Sequence, residues 1–266
     1  MPGAALWVIV RGGLGNQMFQ FACGTALAAR FSCAAKFVDL IYLDGPDRKW
    51  EMDCFGIAPA PLPGWAAQTF RLALSLQRRL GPRVMGRLPG FWIEDPQSLP
   101  VFAPPGKPCI VSGYWQSHRY YEDVAQSVRE KFRFPPLPEG CALAPRAQGL
   151  ERVAIHVRLG DYVSDPGTRH QRMVCTPEWY RAAWREMRRL RGPCHAFVFS
   201  EDIHWVKKEI NFDGPVDYVP PGPSGAPWVD MARMSSCSHF IISNSSYSWW
   251  AAYLGGSASK TVIAPK

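Results

Sequence analysis

Apolar residues along the chain fall into two alternating patterns: short unbroken runs, and longer stretches that repeat every three to four residues. Leu6-Trp7-Val8-Ile9-Val10 is the first run, and Arg11-Gly12-Gly13 closes it. Phe19, Ala22, Cys23, Ala26 and Leu27 then recur at helical spacing, which predicts a buried strand, a tight loop and a helix with Asn16 as its N-cap. Ile110-Val111-Ser112 predicts a strand entering Gly113-Tyr114-Trp115-Gln116, and Glu122 to Phe132 predicts a helix. Pro135-Pro136-Leu137-Pro138 and the stretch on to Arg152 make the best linker. After it the units recur. Val153 to Val157 predicts a strand, followed by a helix capped by Thr176 with Pro177 at its first position and Tyr180, Ala183, Trp184 and Met187 on one face. Ala196 to Phe199, a helical stretch after Asp202, His239 to Ile242, a helix bearing Tyr247, Trp250, Ala251 and Leu254, and a strand at Thr261 to Ala264 complete the series. Strands alternating with helices predict an α/β fold with doubly wound parallel sheets. A length of 266 residues accommodates two such domains, expected at 1–145 and 146–266.

Composition narrows the class. With 47% hydrophobic and 20% charged residues, the chain is excluded from the disordered, collagenous and coiled-coil classes. Thirty Lys and Arg against 22 Asp and Glu give a net charge of +8, which favours anionic partners. No nucleic-acid-binding motif appears, so nucleic acid is not the expected partner. A basic amphipathic stretch from Trp65 to Arg87 carries Arg71, Arg78, Arg79, Arg83 and Arg87. It reads either as a solvated helix face or as a peripheral contact with anionic lipid or a lipid-linked acceptor. No apolar stretch reaches the ~18 residues of a membrane span, and Met1 to Val10 lacks the features of a signal peptide. The eight cysteines show neither CxxC nor metal-ligand spacing, so reduced thiols and a cytoplasmic location are expected.

Four polar loops stand directly after predicted strands, at the carboxyl ends where open α/β sheets bind ligands. Arg11-Gly12-Gly13-Leu14-Gly15-Asn16-Gln17 lets backbone approach a ligand closely and opens a helix, although a purely structural turn fits it as well. It lacks the Gly-Lys-Ser/Thr of a P-loop. In His156-Val157-Arg158-Leu159-Gly160-Asp161-Tyr162, strand alternation puts His156 and Arg158 on one face. Asp161 is placed to turn back and hold the guanidinium, which makes Arg158 a diphosphate clamp or half of a loop staple. Ser200, Glu201 and Asp202 offer acceptors for nucleoside hydroxyls, or serve as helix caps. Asn244, Ser245 and Ser246 at a helix start offer backbone and hydroxyl donors to phosphate. Trp249-Trp250 fits the core better than a sugar platform.

Gly12 to Ala22 (GGLGNQMFQFA), His156 to Tyr162 (HVRLGDY), Phe199 to Asp202 (FSED) and Ile242 to Leu254 (ISNSSYSWWAAYL) resemble, in order, the four motifs of the α-1,2-fucosyltransferases of glycosyltransferase family 11. Gly113 to Asp123 (GYWQSHRYYED) is similar to a further family segment. The resemblance implies a GT-B-like pair of Rossmann-like α/β domains facing a donor cleft, GDP-β-L-fucose as co-substrate, no cofactor, no metal, and inversion to an α-fucoside on the 2-hydroxyl of a terminal galactoside. The implied acceptor is a galactose-terminated oligosaccharide or a lipid-linked glycan. Carried onto this sequence, Arg158 binds the diphosphate with His156 and Asp161 beside it; Gly12, Gly13, Gly15, Asn16 and Gln17 face the fucose and diphosphate. Ser200, Glu201 and Asp202 lie near the nucleoside, and Asn244, Ser245 and Ser246 at the phosphate. Arg158, Asn16 and Asp161 are the expected catalytic residues, Asp161 as a weak base because pairing with Arg158 lowers its basicity. One departure stands out: the family's second adjacent arginine is Leu159 here, which motivates the alternative of a non-catalytic nucleotide- or glycan-binding protein. Relatives continue past the position of Lys266, which implies a further terminal helix.

The chemistry expected of such a site is electrostatic. GDP gains charge as it leaves and the fucosyl C1 becomes oxocarbenium-like, so a preorganised arginine and helix N–H groups favour the transition state over the ground state. No DxD-like cluster suggests a metal, since Asp44 to Asp47 sit in a different context.

Overall fold

The computed structural model describes residues 5–41, 48–61, 68, 71–72, 75–76, 79–81, 84, 90–95, 109–145, 149–159 and 175–266. It divides into two compact units, Met1–Arg133 and Phe134–Lys266. The division falls ahead of the expected 145/146 because the segment after the proline cluster binds C-terminal residues. The Cys141 carbonyl accepts from Arg233 Nε at 2.5 Å and the Ala144 carbonyl from Arg152 Nη2 at 3.4 Å.

In the first unit, strands β1 (Ala5–Val10), β2 (Ala34–Asp39), β3 (Phe91–Ile93) and β4 (Cys109–Ser112) form a parallel sheet in the order β2-β1-β4-β3. Helix α1 (Leu14–Arg30) crosses from β1 to β2, burying Met18, Phe19, Ala22, Cys23, Ala26 and Leu27 as its spacing predicts. Gly24 sets how closely it packs: a Cβ there would stand 2.7 Å from both Val8 Cγ2 and Phe37 Cε1. Helix α2 (Ala125–Lys131) follows a 3-10 turn over Glu122–Val124, so the helix expected from Glu122 begins with a tighter turn. Strands β2 and β3 carry no long apolar run and escape the periodicity argument. β2 is an edge strand with two exposed positions, and β3 has only three residues.

The second unit is a five-stranded parallel sheet in the order β7-β6-β5-β8-β9, from β5 (Glu151–Val157), β6 (Cys194–Ser200), β7 (Val216–Tyr218), β8 (His239–Ile241) and β9 (Val262–Ile263). Its helices are α3 (Pro177–Arg191), α4 (Ile203–Glu209), α5 (Trp228–Ser235) and α6 (Ser246–Leu254). All seven residues of β6 are buried, which is the signature of a central parallel strand covered on both faces. Val153, Ile155, Val157, Tyr180, Trp184, Met187 and Val198 share one core. Thr176 caps α3 through its hydroxyl, with Pro177 in the first turn, as expected.

Asn16 is not an N-cap. Gly12 adopts φ +77°, a left-handed turn that suits glycine, and the helix begins at once with Gly13 as cap. Asn16 thus lies in the first turn, its N–H donating to the Gly13 carbonyl at 2.9 Å. All eight cysteines are free thiols. No helix among the described residues is long and apolar enough to cross a membrane. Described residues 71–72, 75–76 and 79–80 of the basic stretch are helical; Arg78, Arg83 and Arg87 lie outside the described residues, as do Asp44 and Asp47.

Candidate active site

The register of the second sheet assembles its carboxyl edge. Parallel pairing sets His156 opposite Phe199 and Val157 opposite Ser200, so the residues that follow, Arg158 and Glu201, emerge side by side. Arg158 Nη1 donates to Glu201 Oε1, and the Leu159 N–H donates to Glu201 Oε2 at 3.2 Å. Both side chains are little more than one third exposed. The bond to Glu201 uses only Nη1, so Nε and Nη2 of Arg158 have no partner among the described residues. A guanidinium fixed from one side with donors to spare is preorganised for an anion.

Behind this pair sits His156, buried at the end of β5. Its Nδ1 shares a hydrogen bond with Ser243 Oγ at 3.3 Å, its carbonyl accepts from the Tyr180 hydroxyl at 3.1 Å, and its ring packs 5.7 Å from Tyr247. Burial pushes its pKa down to about 4; Arg158 lowers it further and Glu201 opposes. His156 is therefore neutral at physiological pH, a spacer between β5 and the start of α6. Ser245 caps α6 by accepting from the Tyr247 N–H at 3.3 Å; Asn244 is exposed and Ser246 half-buried beside it. Ser200 and Asp202 hold the turn into α4, accepting from the Asp202 N–H at 3.3 Å and the Trp205 N–H at 2.9 Å. Capping thus occupies Ser200 and Asp202, while Glu201 holds the Arg158 guanidinium, for which Asp161 was the expected partner. Asp161 lies outside the described residues. Leu159 is fully buried within the unit's core, so a second positive charge would meet apolar packing there. Trp250 is also fully buried, whereas Trp249 is half-buried and stacks on Tyr253 at 4.9 Å.

The first unit builds its own carboxyl edge around the Gly12–Gly13 turn. Gln17, expected to face the donor, is fully buried: Nε2 donates to the carbonyls of Gly12 and Lys49, both at 2.9 Å, and Oε1 accepts from the Glu51 N–H at 2.9 Å. It stitches the loop to the chain beyond β2 and has no surface left for a ligand. Gln20, also buried, accepts from the Arg11 N–H at 2.8 Å and donates to the Gly113 carbonyl at 3.1 Å. Gln116 Nε2 donates to Asn16 Oδ1 at 2.7 Å, which ties the segment after β4 to the first motif. Glu94 Oε2 holds that segment by accepting from the N–H groups of Tyr114 (2.6 Å) and Trp115 (2.9 Å). Trp115 is buried at φ +55°, an unfavourable conformation for a bulky residue that these bonds enforce. Gly12, Gly13, Gly15 and Asn16 thus line one edge with Glu51, whose Oε2 accepts from the Leu14 N–H at 2.5 Å. Neither Glu51 nor Glu94 was marked by a local motif, because each acts on a loop 20 or more residues away.

Two Rossmann-like parallel α/β units, each with polar loops gathered at its carboxyl edge, define the GT-B-like class. A mutant of Arabidopsis thaliana FUT1 in complex with GDP shares this fold with a TM-score of 0.52 at 14% identity, covering 96% of this chain and 69% of that one. The family model of glycosyl transferase family 11 matches residues 97–266, well over half of the chain. The chain therefore belongs to family 11 and is a glycosyltransferase. It is 27% identical to an Escherichia coli alpha-1,2-colitosyltransferase, covering 96% of this chain and 89% of the relative. It is 29% identical to galactoside alpha-(1,2)-fucosyltransferase 1 of Saimiri boliviensis boliviensis, covering 94% of this chain but only 65% of that protein.

Proposed function

We propose that the chain transfers L-fucose from GDP-β-L-fucose to the 2-hydroxyl of a terminal galactoside, inverting the anomeric centre and using no metal or cofactor. The observation that carries this reading is Arg158, oriented by Glu201 at the edge of β5 and β6 with donors that no described residue takes up. In the proposed reaction those donors and the start of α6, through Asn244, Ser245 and Ser246, neutralise the diphosphate as its bond to C1 breaks. The positive charge then comes from the protein, where other glycosyltransferases recruit a divalent ion. Leu159, the departure that motivates a non-catalytic reading, is buried in the core of the second unit.

The colitosyltransferase match, which covers most of both chains, favours a second donor reading, GDP-colitose. Colitose lacks one hydroxyl of fucose, and a site that hydrogen-bonds that hydroxyl discriminates strongly against its absence. GDP release from each donor in EDTA, over lactose, N-acetyllactosamine and galactosyl-N-acetylgalactosamine, tests both. Acceptor-stimulated release from GDP-fucose with an α-1,2 product supports the first reading; release from GDP-colitose alone replaces it with the second.

A further inference from the structure

The sheet of the second unit has an amino edge as well as a carboxyl edge, and a cavity of about 380 Å³ opens there, a size that suits a small ligand. The starts of β5 and β8 supply Glu151 and His239, and the C-terminal ends of α3 and α5 supply Arg191 and Ser235; Ser238 and Ser257 complete the polar wall. Strand β5 runs seven residues from Glu151 to Val157, so at ~3.3 Å per residue the cavity lies roughly 20 Å from Arg158. His239 is buried in the cavity wall. Its Nδ1 takes the Thr261 N–H at 3.0 Å, and Arg191 Nε points at Nε2, also at 3.0 Å. Burial and Arg191 lower the His239 pKa against the pull of Glu151, so the ring is neutral and has a single acceptor nitrogen. The Thr261 backbone is pinned by the Phe240 N–H, which donates to its carbonyl at 2.9 Å, so Nδ1 is that acceptor and Nε2 carries the proton. Nε2–H and the Arg191 Nε–H therefore meet as two donors, and a ligand oxygen that accepts from both relieves the conflict.

We propose that this cavity is a second binding site for a neutral sugar residue, separate from the site at Arg158. Arg191 Nη1 and Nη2, the Ser238 hydroxyl and the Glu151 carboxylate have no hydrogen-bond partner among the described residues. Arg191 and His239 offer donors, Glu151 offers acceptors, and the serine hydroxyls do both, which matches sugar hydroxyls that donate and accept at once. Glu151 balances Arg191, so the cavity has no net charge to attract a phosphate. The helix C-terminal ends around it carry partial negative charge, which disfavours an anion further. Neighbouring cations are committed elsewhere: Lys260 donates to the carbonyls of Ala252 (2.6 Å) and Gly255 (2.7 Å), Arg152 to the Ala144 carbonyl, and Arg188 to Asp213. A small zwitterion would satisfy Arg191 and Glu151 but leave the serine hydroxyls unused.

The test is an NMR titration of the full chain carrying isotope-labelled histidine, with methyl β-D-galactoside, L-fucose and lactose as sugars, inorganic phosphate as the anion and glycine as the zwitterion. At least one sugar should shift the His239 ring nitrogens saturably, equally in wild type and in Arg158→Ala, and neither phosphate nor glycine should do so. Glu151→Gln and Arg191→Gln should each weaken that binding by about tenfold, with thermal melts confirming that both variants fold. None of these readouts needs turnover, so failure of the proposed transfer leaves them standing. The proposal is overturned if no sugar shifts His239, if phosphate or glycine does so instead, if the shift is lost in Arg158→Ala, or if both cavity variants bind as wild type does. Where a cavity variant does not fold, the wild-type and Arg158→Ala titrations decide alone.

Discussion

At the scale of single residues, the site depends on which side chains are spent and which are held in reserve. Arg158→Ala removes the held cation and should lower acceptor-stimulated GDP release by about 10²–10³ while leaving Tm nearly unchanged, because a pair this exposed adds little stability. Steady-state kinetics beside a thermal melt separate the two effects. Arg158→Lys should recover only part of the rate, since an ammonium cannot hold Glu201 and an anion in one planar fork. Gln17 is the opposite case. Gln17→Ala strands the carbonyls of Gly12 and Lys49 and the N–H of Glu51 at once, and should cost about 2–4 kcal/mol in urea unfolding. An unchanged urea midpoint would show that its three hydrogen bonds do not hold the loop.

At the scale of elements, the strand and helix series was legible wherever burial imposed a period. Strands β1, β5, β6 and β8 and helices α1 and α3 follow directly from apolar runs and spacing. Edge strands β2, β3 and β7 were not legible because one exposed side breaks the run and three residues are too few for a pattern. The site was legible in Arg158 and in the loops after the strands, which stand where the parallel sheets deliver them. Their working partners were hidden by distance along the chain: Glu201 is 43 residues from Arg158 and Glu51 is 37 from Leu14. Asn16 was misplaced because a left-handed glycine starts a helix earlier than a polar cap would. Packing of α1 on its sheet makes a prediction of its own. Gly24→Ala puts a methyl 2.7 Å from Val8 and Phe37 and should destabilise by about 1–3 kcal/mol, checked by chemical unfolding.

At the scale of the whole molecule, two separately cored parallel units carry the loops, and acid stability reports on the buried site. His156 titrates near 6.5 when unfolded and at about 4 when folded, so the unfolded chain binds the extra proton between those values. Its contribution to stability is present above pH 6.5 and is lost as pH falls toward 4. His156→Gln should remove up to about one proton from the slope of unfolding free energy against pH in that window, as measured by urea titrations at several pH values. An identical slope in the variant would place the acid sensitivity elsewhere, for example at His239, whose pKa burial also lowers.

The most direct measurement is GDP release from GDP-fucose in EDTA with a terminal galactoside, wild type and Arg158→Ala side by side, with the linkage of the product determined. The account predicts acceptor-stimulated release, an α-1,2-fucosylated product, and loss of both in a variant that still melts as wild type does. Release that needs a divalent ion, or that survives the loss of Arg158, would contradict it.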